Sequence, residues 1–257
     1  MRVLILGGTT EASELALLLA ADSRFDATVS LAGRTANPKT RPVRTRIGGF
    51  GGADGLVAWL EQDATQAVID ATHPYADQIS SNAVAACERL AIPLASILRP
   101  AWEPQPGDTW IPVASAEAAA DALGPKPRRV FLTLGRLELG AFASEPHHHY
   151  VARTIDPPGD VALPPDIRLF YDRGPFDRES ETALLTREKI EMLVSKNSGG
   201  AATYAKIEAA RHLGIPVVMI ARPNKPRGYA VESAEAAILW LEHQLAHRAA
   251  SCSPRGV

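Results

Sequence analysis

The chain has 257 residues with 27 Lys and Arg against 29 Asp and Glu, and this near balance argues against a globally basic nucleic-acid binder or an acidic tail. Its two cysteines, Cys87 and Cys252, are far apart, which excludes a disulfide scaffold or a cysteine zinc site. Because we find no secretory signal and no apolar run of about 18 residues, we expect a cytoplasmic protein without membrane contact.

Short apolar runs alternate with alanine- and leucine-rich stretches in the first hundred residues. The pattern predicts strands at 3–6, 27–32, 67–70 and 94–98 and helices at 11–21 and 77–90, with a short helix after the glycine-rich stretch 48–55. Strands that alternate with helices over short connections are typical of a parallel sheet covered by helices on both faces.

A second series of such elements follows a proline-rich interval. It predicts strands at 130–133, 150–154, 167–171, 191–194 and 217–220 and helices at 178–187, 201–213 and 234–246. We therefore predict two related Rossmann-like α/β domains with parallel sheets. These are a dinucleotide-binding domain over 1–100 and a C-terminal domain over 113–250, joined by a proline-rich linker at 101–112 and followed by a frayed tail at 251–257.

The two halves repeat each other in sequence. Leu-Ala-Ile-Pro at 90–93 matches Leu-Gly-Ile-Pro at 213–216, and Arg99-Pro100 and Arg222-Pro223 follow at the same spacing. Val-x-Ser-Ala-Glu-Ala-Ala also occurs twice, at 113–119 and at 231–237. A tandem pair of domains would face each other across an inter-domain cleft, where ligands bind. The alternative is that α/β units share the same turns and that alanine-rich sequences repeat easily.

The first candidate site is the turn after the first strand, formed by Gly7, Gly8, Thr9, Thr10 and Glu11. Small residues let the backbone approach a phosphate, and the start of the next helix favours the anion. The turn departs from the dinucleotide fingerprint because Thr9 replaces its second glycine. The other interpretation is a plain tight turn.

Arg34 follows the second strand, at the position where an NAD site would have a carboxylate for the ribose. An arginine there suits the 2′-phosphate of NADP, so we expect NADPH to be preferred over NADH. The alternative is a solvated loop arginine.

Two further loops carry polar residues at strand ends. After the strand at 67–70, Thr72 would contact cofactor, while His73 and Tyr75 would donate protons or stack on a planar ligand; helix capping is the alternative. We interpret the corresponding loop of the second half as an anion cradle that binds cofactor, made of Ser195, Lys196, Asn197, Ser198, Gly199 and Gly200. The anion at Lys196 would be a cofactor phosphate or a substrate carboxylate, and a capped turn is the alternative.

Cationic residues also follow several predicted strands. Although any one of them alone is more often solvated, their shared position predicts a polyanionic substrate bound by Arg99, Arg136, Arg173, Arg222 and Lys225. We expect no metal at His147, His148 and His149, because consecutive side chains of an extended segment alternate in direction and no carboxylate or cysteine set completes a site.

Five motifs occur in order along the chain. They are Gly7-Gly8-Thr9-x-Glu11-Ala12, Thr72-His73-Pro74-Tyr75-Ala76, Arg173-Gly174-Pro175-Phe176 with Glu181, Ser195-Lys196-Asn197-Ser198-Gly199-Gly200, and Ile215-Pro216-Val217-x-x-Ile220-x-Arg222-Pro223. Together these motifs resemble the precorrin-6A reductase family of corrin-ring biosynthesis. The resemblance implies a two-domain α/β enzyme that uses NADPH to reduce one double bond of a tetrapyrrole, giving precorrin-6B.

A tetrapyrrole with acetate and propionate arms fits the cationic strand ends, and Tyr75, His73 or water would supply the proton. Hand-over to neighbouring pathway enzymes is compatible with this role. Two other interpretations stay open, a non-catalytic NADP-binding redox sensor and an α/β transferase, although no metal-binding carboxylate pair supports the transferase. The sequence leaves open whether the substrate contains cobalt, which carbon receives hydride, and the oligomeric state.

Overall fold

The computed structural model describes residues 1–33 and 42–252. The chain divides into two compact units, the first made of Met1–Pro100 and the segment from Asn224 onward, the second of Ala101–Pro223. Among the described residues, no helix combines the length and the apolar composition needed to cross a bilayer.

Strands and helices alternate along both units. The strands are β1 (Arg2–Leu6), β2 (Asp26–Leu31), β3 (Arg44–Ile47), β4 (Ala67–Asp70), β5 (Leu94–Ile97), β6 (Trp110–Val113), β7 (Arg129–Thr133), β8 (His149–Thr154), β9 (Ile167–Tyr171), β10 (Met192–Lys196), β11 (Val217–Ile220) and β12 (Tyr229–Val231). The α-helices are α1 (Thr10–Ala20), α2 (Gly52–Gln62), α3 (Asp77–Leu90), α4 (Ala116–Asp121), α5 (Arg178–Arg187), α6 (Ala205–Leu213) and α7 (Ala234–Cys252).

The first unit is a six-stranded parallel sheet with the order β12-β5-β4-β1-β2-β3. Side chains alternate along each strand, so β1 supplies both faces of the core. Ile5 packs with Leu15 of α1 and Leu241 of α7, whereas Leu4 packs with Leu56 of α2 on the opposite face. Helices on both faces of a parallel sheet confirm the predicted fold class for this unit.

The second unit has the corresponding order, β6-β11-β10-β7-β8-β9, and all its strand pairs are also parallel. Phe131 of β7, Leu193 of β10 and Ile207 of α6 belong to its buried core. The repeat seen in the sequence therefore corresponds to two sheets of the same topology.

Local structure supports the same correspondence. The helices α3 and α6 are each followed by a residue in the left-handed region, Ala91 at φ 51° and Gly214 at φ 65°. A proline carbonyl then accepts a hydrogen bond from the neighbouring strand, Val68 N to Pro93 O and Leu193 N to Pro216 O, both at 3.0 Å.

The domain boundaries differ from the prediction. β6 begins at Trp110, inside the predicted linker 101–112, and the predicted domain 113–250 loses its last elements to the first unit. The reason is that β12 pairs with β5, while Ala237 and Leu241 of α7 pack against the α1 face of the first sheet. α7 continues to Cys252, and residues 253–257 of the predicted tail lie outside the described residues.

Some secondary structure also differs. The charged strand β3 was not predicted, because Arg44, Thr45 and Arg46 give it no apolar run. The predicted helix 201–213 is divided into a 3₁₀ turn at Ala201–Thr203 and α6, and a 3₁₀ helix at Arg136–Ser144 follows β7.

Candidate functional site

The strand order of the first sheet defines where a ligand would bind. Chain connections leave β1 toward β2 and β3 on one side and continue through β4 and β5 on the other. The helices that follow β1 and β4, α1 and α3, cover opposite faces. The carboxyl ends of β1 and β4 therefore form the switch point at which doubly wound sheets bind their ligands.

The glycine turn lies at this switch point. Gly7 donates its N–H to Ser30 O at 2.9 Å, and a Cβ on it would lie 3.0 Å from Val29 Cγ1, so a side chain here would crowd β2. Gly8 has φ +127°, and a Cβ there would meet nothing within 4 Å. Thr9 caps α1 by accepting from Ala12 N at 3.2 Å and donates to Ala71 O at 2.8 Å. Hydrogen bonds to Ser30 and Ala71 thus hold the turn in place, while Gly8 faces open space.

Glu11 and Arg99, predicted to bind cofactor and substrate, bind each other. Arg99 Nη1 lies 2.8 Å from both carboxylate oxygens, and both side chains are mostly buried. Burial raises the pKa of Glu11, but the hydrogen bonds and charge of Arg99 outweigh it, so the net pKa lies below its usual value. The pair joins the end of β5 to the first turn of α1.

Lys225 and Thr72 are also bound within the first unit. The buried Asp70 accepts from Thr72 Oγ1 at 2.6 Å and from Ser80 Oγ at 2.5 Å. The Nζ of Lys225 lies 3.3 Å from Asp70 Oδ2 and donates to Thr72 Oγ1 at 2.8 Å. Both groups hold the loop after β4 in place, and their predicted ligand-binding roles stay predictions.

His73 and Tyr75 follow that anchor, and both are half-buried. Tyr75 N donates to His73 Nδ1 at 3.3 Å, and the two ring centroids are 5.5 Å apart. In a neutral ring the proton then sits on Nε2. The loop therefore brings an imidazole and a phenol together at the end of β4.

In the second unit, Lys196 has a carboxylate partner. Its Nζ lies 2.5 Å from Glu138 Oε2, and the same oxygen accepts from Gly135 N at 3.0 Å. A carboxylate of the chain itself thus occupies the anion position that we predicted for a ligand at Lys196. Glu138 was missed because its sequence position, in a 3₁₀ helix after β7, gave no signal.

The neighbouring side chains of this loop are engaged too. Asn197 accepts from Trp102 N at 2.7 Å and donates to Trp102 O at 2.9 Å, so its amide fixes the backbone that follows β5. Ser195 is buried, and Ser198 Oγ lies 3.4 Å from Thr203 Oγ1. The side chains of this candidate site therefore also hold the local structure together.

The three remaining predicted arginines lie at strand ends of the second sheet. Arg136 follows β7 and donates to Pro157 O at 3.1 Å. Arg222 follows β11 and donates to Asn197 O at 2.8 Å, and Arg173 follows β9. The ends of parallel strands share one edge of a sheet, so these guanidinium groups belong to the same edge. Arg34 lies outside the described residues.

A buried charged cluster was missed from the sequence. Arg153 of β8 binds both carboxylate oxygens of Glu181, and its guanidinium carbon lies 3.6 Å from the centroid of Phe176. Lys206 is buried beside this pair, 5.5 Å from the Trp102 ring. Burial and then the charge of Arg153 lower the pKa of Lys206 to about 7. An arginine within the mostly buried strand β8 was the available signal.

Two surface cavities lie in separate units. A cavity of about 510 Å³ in the second unit is lined by Gly199 and by the rings of Trp102, Phe176 and Tyr204. A cavity of about 610 Å³ in the first unit lies at the amino end of β5, away from the strand ends that carry the candidate site.

The histidine segment requires a correction. Glu145, His147 and His148 bring their ligand atoms within 4.8 Å of one another, so a carboxylate does join the histidines. However, His148 Nδ1 accepts from Arg128 N at 3.2 Å, and burial lowers its pKa. The neutral ring then carries its proton on Nε2 and offers no lone pair there to a cation.

Comparison with known proteins gives consistent matches. Residues 2–242 match the family model described as Precorrin-6x reductase CbiJ/CobK. A precorrin-6A reductase of Sinorhizobium sp is 49% identical over 245 residues, covering 95% of this chain and 94% of that protein. A cobalt-precorrin-6A reductase of Priestia megaterium is 28% identical over 254 residues, covering 94% and 98%. The solved structure of a CobK precorrin-6A reductase matches with a TM-score of 0.90 at 46% identity, covering 100% of both chains.

Proposed function

The chain belongs to the precorrin-6x reductase family, and we propose that it reduces one carbon–carbon double bond of precorrin-6A to give precorrin-6B, with NADPH as the reductant. The observation that carries the proposal is the turn at the switch point of the first sheet, where Gly8 leaves open space in front of α1. We favour the cobalt-free macrocycle, because identity is 49% to the precorrin-6A reductase and 28% to the cobalt-precorrin-6A reductase.

The residues around this turn fit a dinucleotide. Gly7 and Gly8 present backbone without side chains, and Thr10 opens the helix whose N-terminal dipole favours a phosphate. Glu11 and Thr72 would stabilise the turn and its surroundings, because Glu11 binds Arg99 and Thr72 binds Asp70. We assign Arg34 to the 2′-phosphate from its sequence position alone.

When bound, NADPH supplies a hydride to one carbon of the reduced bond. The neighbouring carbon needs a proton, and His73 and Tyr75 are our candidates for holding it. Their loop belongs to the half of the sheet made by β4 and β5, which in this fold receives the nicotinamide half of a dinucleotide. The groups of this loop that can donate a proton are the phenol O–H of Tyr75 and the imidazole of His73 in its protonated form.

Carboxylates of the tetrapyrrole would bind at the second unit. Arg136, Arg173 and Arg222 follow β7, β9 and β11, and each guanidinium has five N–H donors in a planar fork suited to carboxylates. We also propose Lys196 for this role, with Glu138 as the group that a substrate carboxylate would replace. Arg99 and Lys225 serve as positioning residues in this proposal.

The test is the oxidation of NADPH, followed by nicotinamide absorbance with precorrin-6A, with cobalt-precorrin-6A, or without tetrapyrrole. We expect oxidation only with a tetrapyrrole, faster with the cobalt-free form, and at least about tenfold weaker use of NADH. NADPH binding without turnover of either tetrapyrrole would favour the redox sensor instead. His73→Gln and Tyr75→Phe, compared under single-turnover conditions, identify the proton source by the slower step.

A further inference from the structure

Arg46, at the end of β3, is a half-buried cation held by uncharged groups. Its Nη1 lies 3.3 Å from Ser30 Oγ and donates to Gly48 O, and its Nη2 donates to Gly49 O at 2.7 Å. The guanidinium carbon lies 3.8 Å from the centroid of Phe50, so the ring fixes the plane of the fork. The side chain is therefore positioned before any ligand arrives.

No acid neutralises this guanidinium among the described residues. Arg44, two residues earlier on the same strand, pairs with Asp26 and Asp63, whereas Arg46 has no such partner. Residues 34–41, which precede this strand, contain no Asp or Glu at all. Burial lowers the pKa of Arg46, as expected for a cation that no carboxylate compensates.

The hydrogen bonds of Arg46 also leave part of its fork unused. Two contacts involve Nη1 and one involves Nη2, so Nε–H and the second N–H of Nη2 have no acceptor among the described residues. Nε and Nη2 are the pair with which Arg24 and Arg211 bind the carboxylates of Asp22 and Asp108. Arg46 keeps the same pair for an oxyanion.

The turn beside Arg46 has a glycine that the fold itself does not require. Gly48 and Gly51 adopt φ +117° and φ +84°, which explains them by backbone conformation, and a Cβ on Gly55 would collide with Phe50 O at 1.8 Å. Gly49 has neither reason: its φ is not positive, and a Cβ on it would meet nothing within 4 Å. Bare backbone facing open space is what a closely approaching ligand needs.

We propose that Arg46 and Gly49 form a subsite for a phosphate carried by the ribose of the adenosine half of the dinucleotide. The inference rests on the proposed function and deepens it. β3 lies beyond β2 on the side of the sheet that receives the adenosine half, while the glycine turn after β1 receives the pyrophosphate. The subsite selects NADPH over NADH because the phosphate at this ribose, which NADH lacks, can accept hydrogen bonds from both Nε–H and Nη2–H of Arg46.

Calorimetric titration with adenosine 2′,5′-bisphosphate and with adenosine 5′-monophosphate tests the subsite without turnover. We expect Arg46→Gln to weaken the affinity for the bisphosphate by about 10–100-fold and to leave the affinity for the monophosphate unchanged. Arg46→Lys should keep part of the preference, and Gly49→Ala should reduce it while the melting temperature stays near that of the wild type. The matched control is Arg44→Gln, which removes a cation of the same strand and should change neither affinity.

The outcomes separate this inference from the proposed function. If the wild type prefers the bisphosphate but Arg46→Gln and Gly49→Ala keep the same preference, the subsite is elsewhere and NADPH dependence stands. If Arg44→Gln loses as much preference as Arg46→Gln, general charge and not a built subsite is responsible. If the wild type binds neither probe, both the subsite and the NADPH assignment fail.

Discussion

Replacing Lys206 by methionine is expected to raise the free energy of unfolding. Its ammonium is buried beside Arg153, and the nearby Glu181 is already bound by both terminal nitrogens of that arginine. The pKa of Lys206 falls from 10.5 to about 7. At about 1.4 kcal/mol per pKa unit, this shift costs about 4 kcal/mol at neutral pH. We expect a gain of about 1–4 kcal/mol, the range found when apolar residues replace buried ionic groups.

The pH dependence gives this prediction a distinctive sign. Between a pKa of about 7 in the folded protein and 10.5 in the unfolded chain, only the unfolded Lys206 is protonated. Unfolding then takes up a proton, so wild-type stability rises with pH across this window by up to about 1.4 kcal/mol per unit. Below the window both states are protonated and the slope vanishes. Lys206→Met removes the slope, so its advantage is largest at neutral pH and below.

The assay is urea unfolding of wild type and Lys206→Met at about pH 7 and about pH 9, followed by tryptophan fluorescence and circular dichroism. Lys126→Met is the control, because Lys126 is exposed in the same unit and its removal should leave the pH dependence as in the wild type. A variant that is less stable than wild type at pH 7, or that keeps the wild-type slope, would refute the argument from buried charge.

Three further predictions concern the strand ends. Lys225→Met leaves Asp70 buried without its counter-ion and should cost about 3–5 kcal/mol in urea unfolding, and a cost below about 1 kcal/mol would contradict the buried-pair interpretation. Gly8→Ala places a side chain at φ +127°, so it should cost about 1–3 kcal/mol in stability and also weaken the binding of NADPH. An unchanged Kd for NADPH would show that this turn does not belong to the site. Lys196→Ala should raise KM for the tetrapyrrole by about tenfold while Glu138→Ala does not, and identical kinetics of the two variants would make their ion pair purely structural.

The sequence was sufficient for elements whose signal is local. α3, α5, β9 and β11 have the bounds that periodicity predicts, since apolar spacing and helix ends are set by neighbouring residues. The motif loops were likewise expected at strand ends, and the turn after β1 and the loop after β4 both lie there. Parallel order with helices on both faces then follows from the alternation itself.

Partners from distant parts of the chain were beyond such reasoning. Lys225 looked like a free cation after β11, but it returns to the first unit and pairs with Asp70. Lys196 looked like a ligand-binding cation, but its partner Glu138 lies in a 3₁₀ helix that no pattern predicted. A charged side chain at a strand end has the same local sequence whether it binds a substrate or a distant residue of its own chain.

The repeated segment Val-x-Ser-Ala-Glu-Ala-Ala explains the error in the domain boundaries and leads to a last prediction. In both copies the serine caps the following helix, Ser115 to Ala118 N and Ser233 to Ala236 N, each at 3.2 Å. The motif therefore specifies a strand and a capped helix but not the sheet that they join, and each copy completes the sheet of the other half. A fragment 1–100 lacks β12 and α7, so the part of the α1 face that α7 covers becomes exposed. We expect this fragment to bind a hydrophobic dye and to unfold without cooperativity, whereas the fragment 101–223, which contains a whole unit, folds cooperatively. Cooperative unfolding of 1–100 alone would show that β12 and α7 are dispensable for the first sheet.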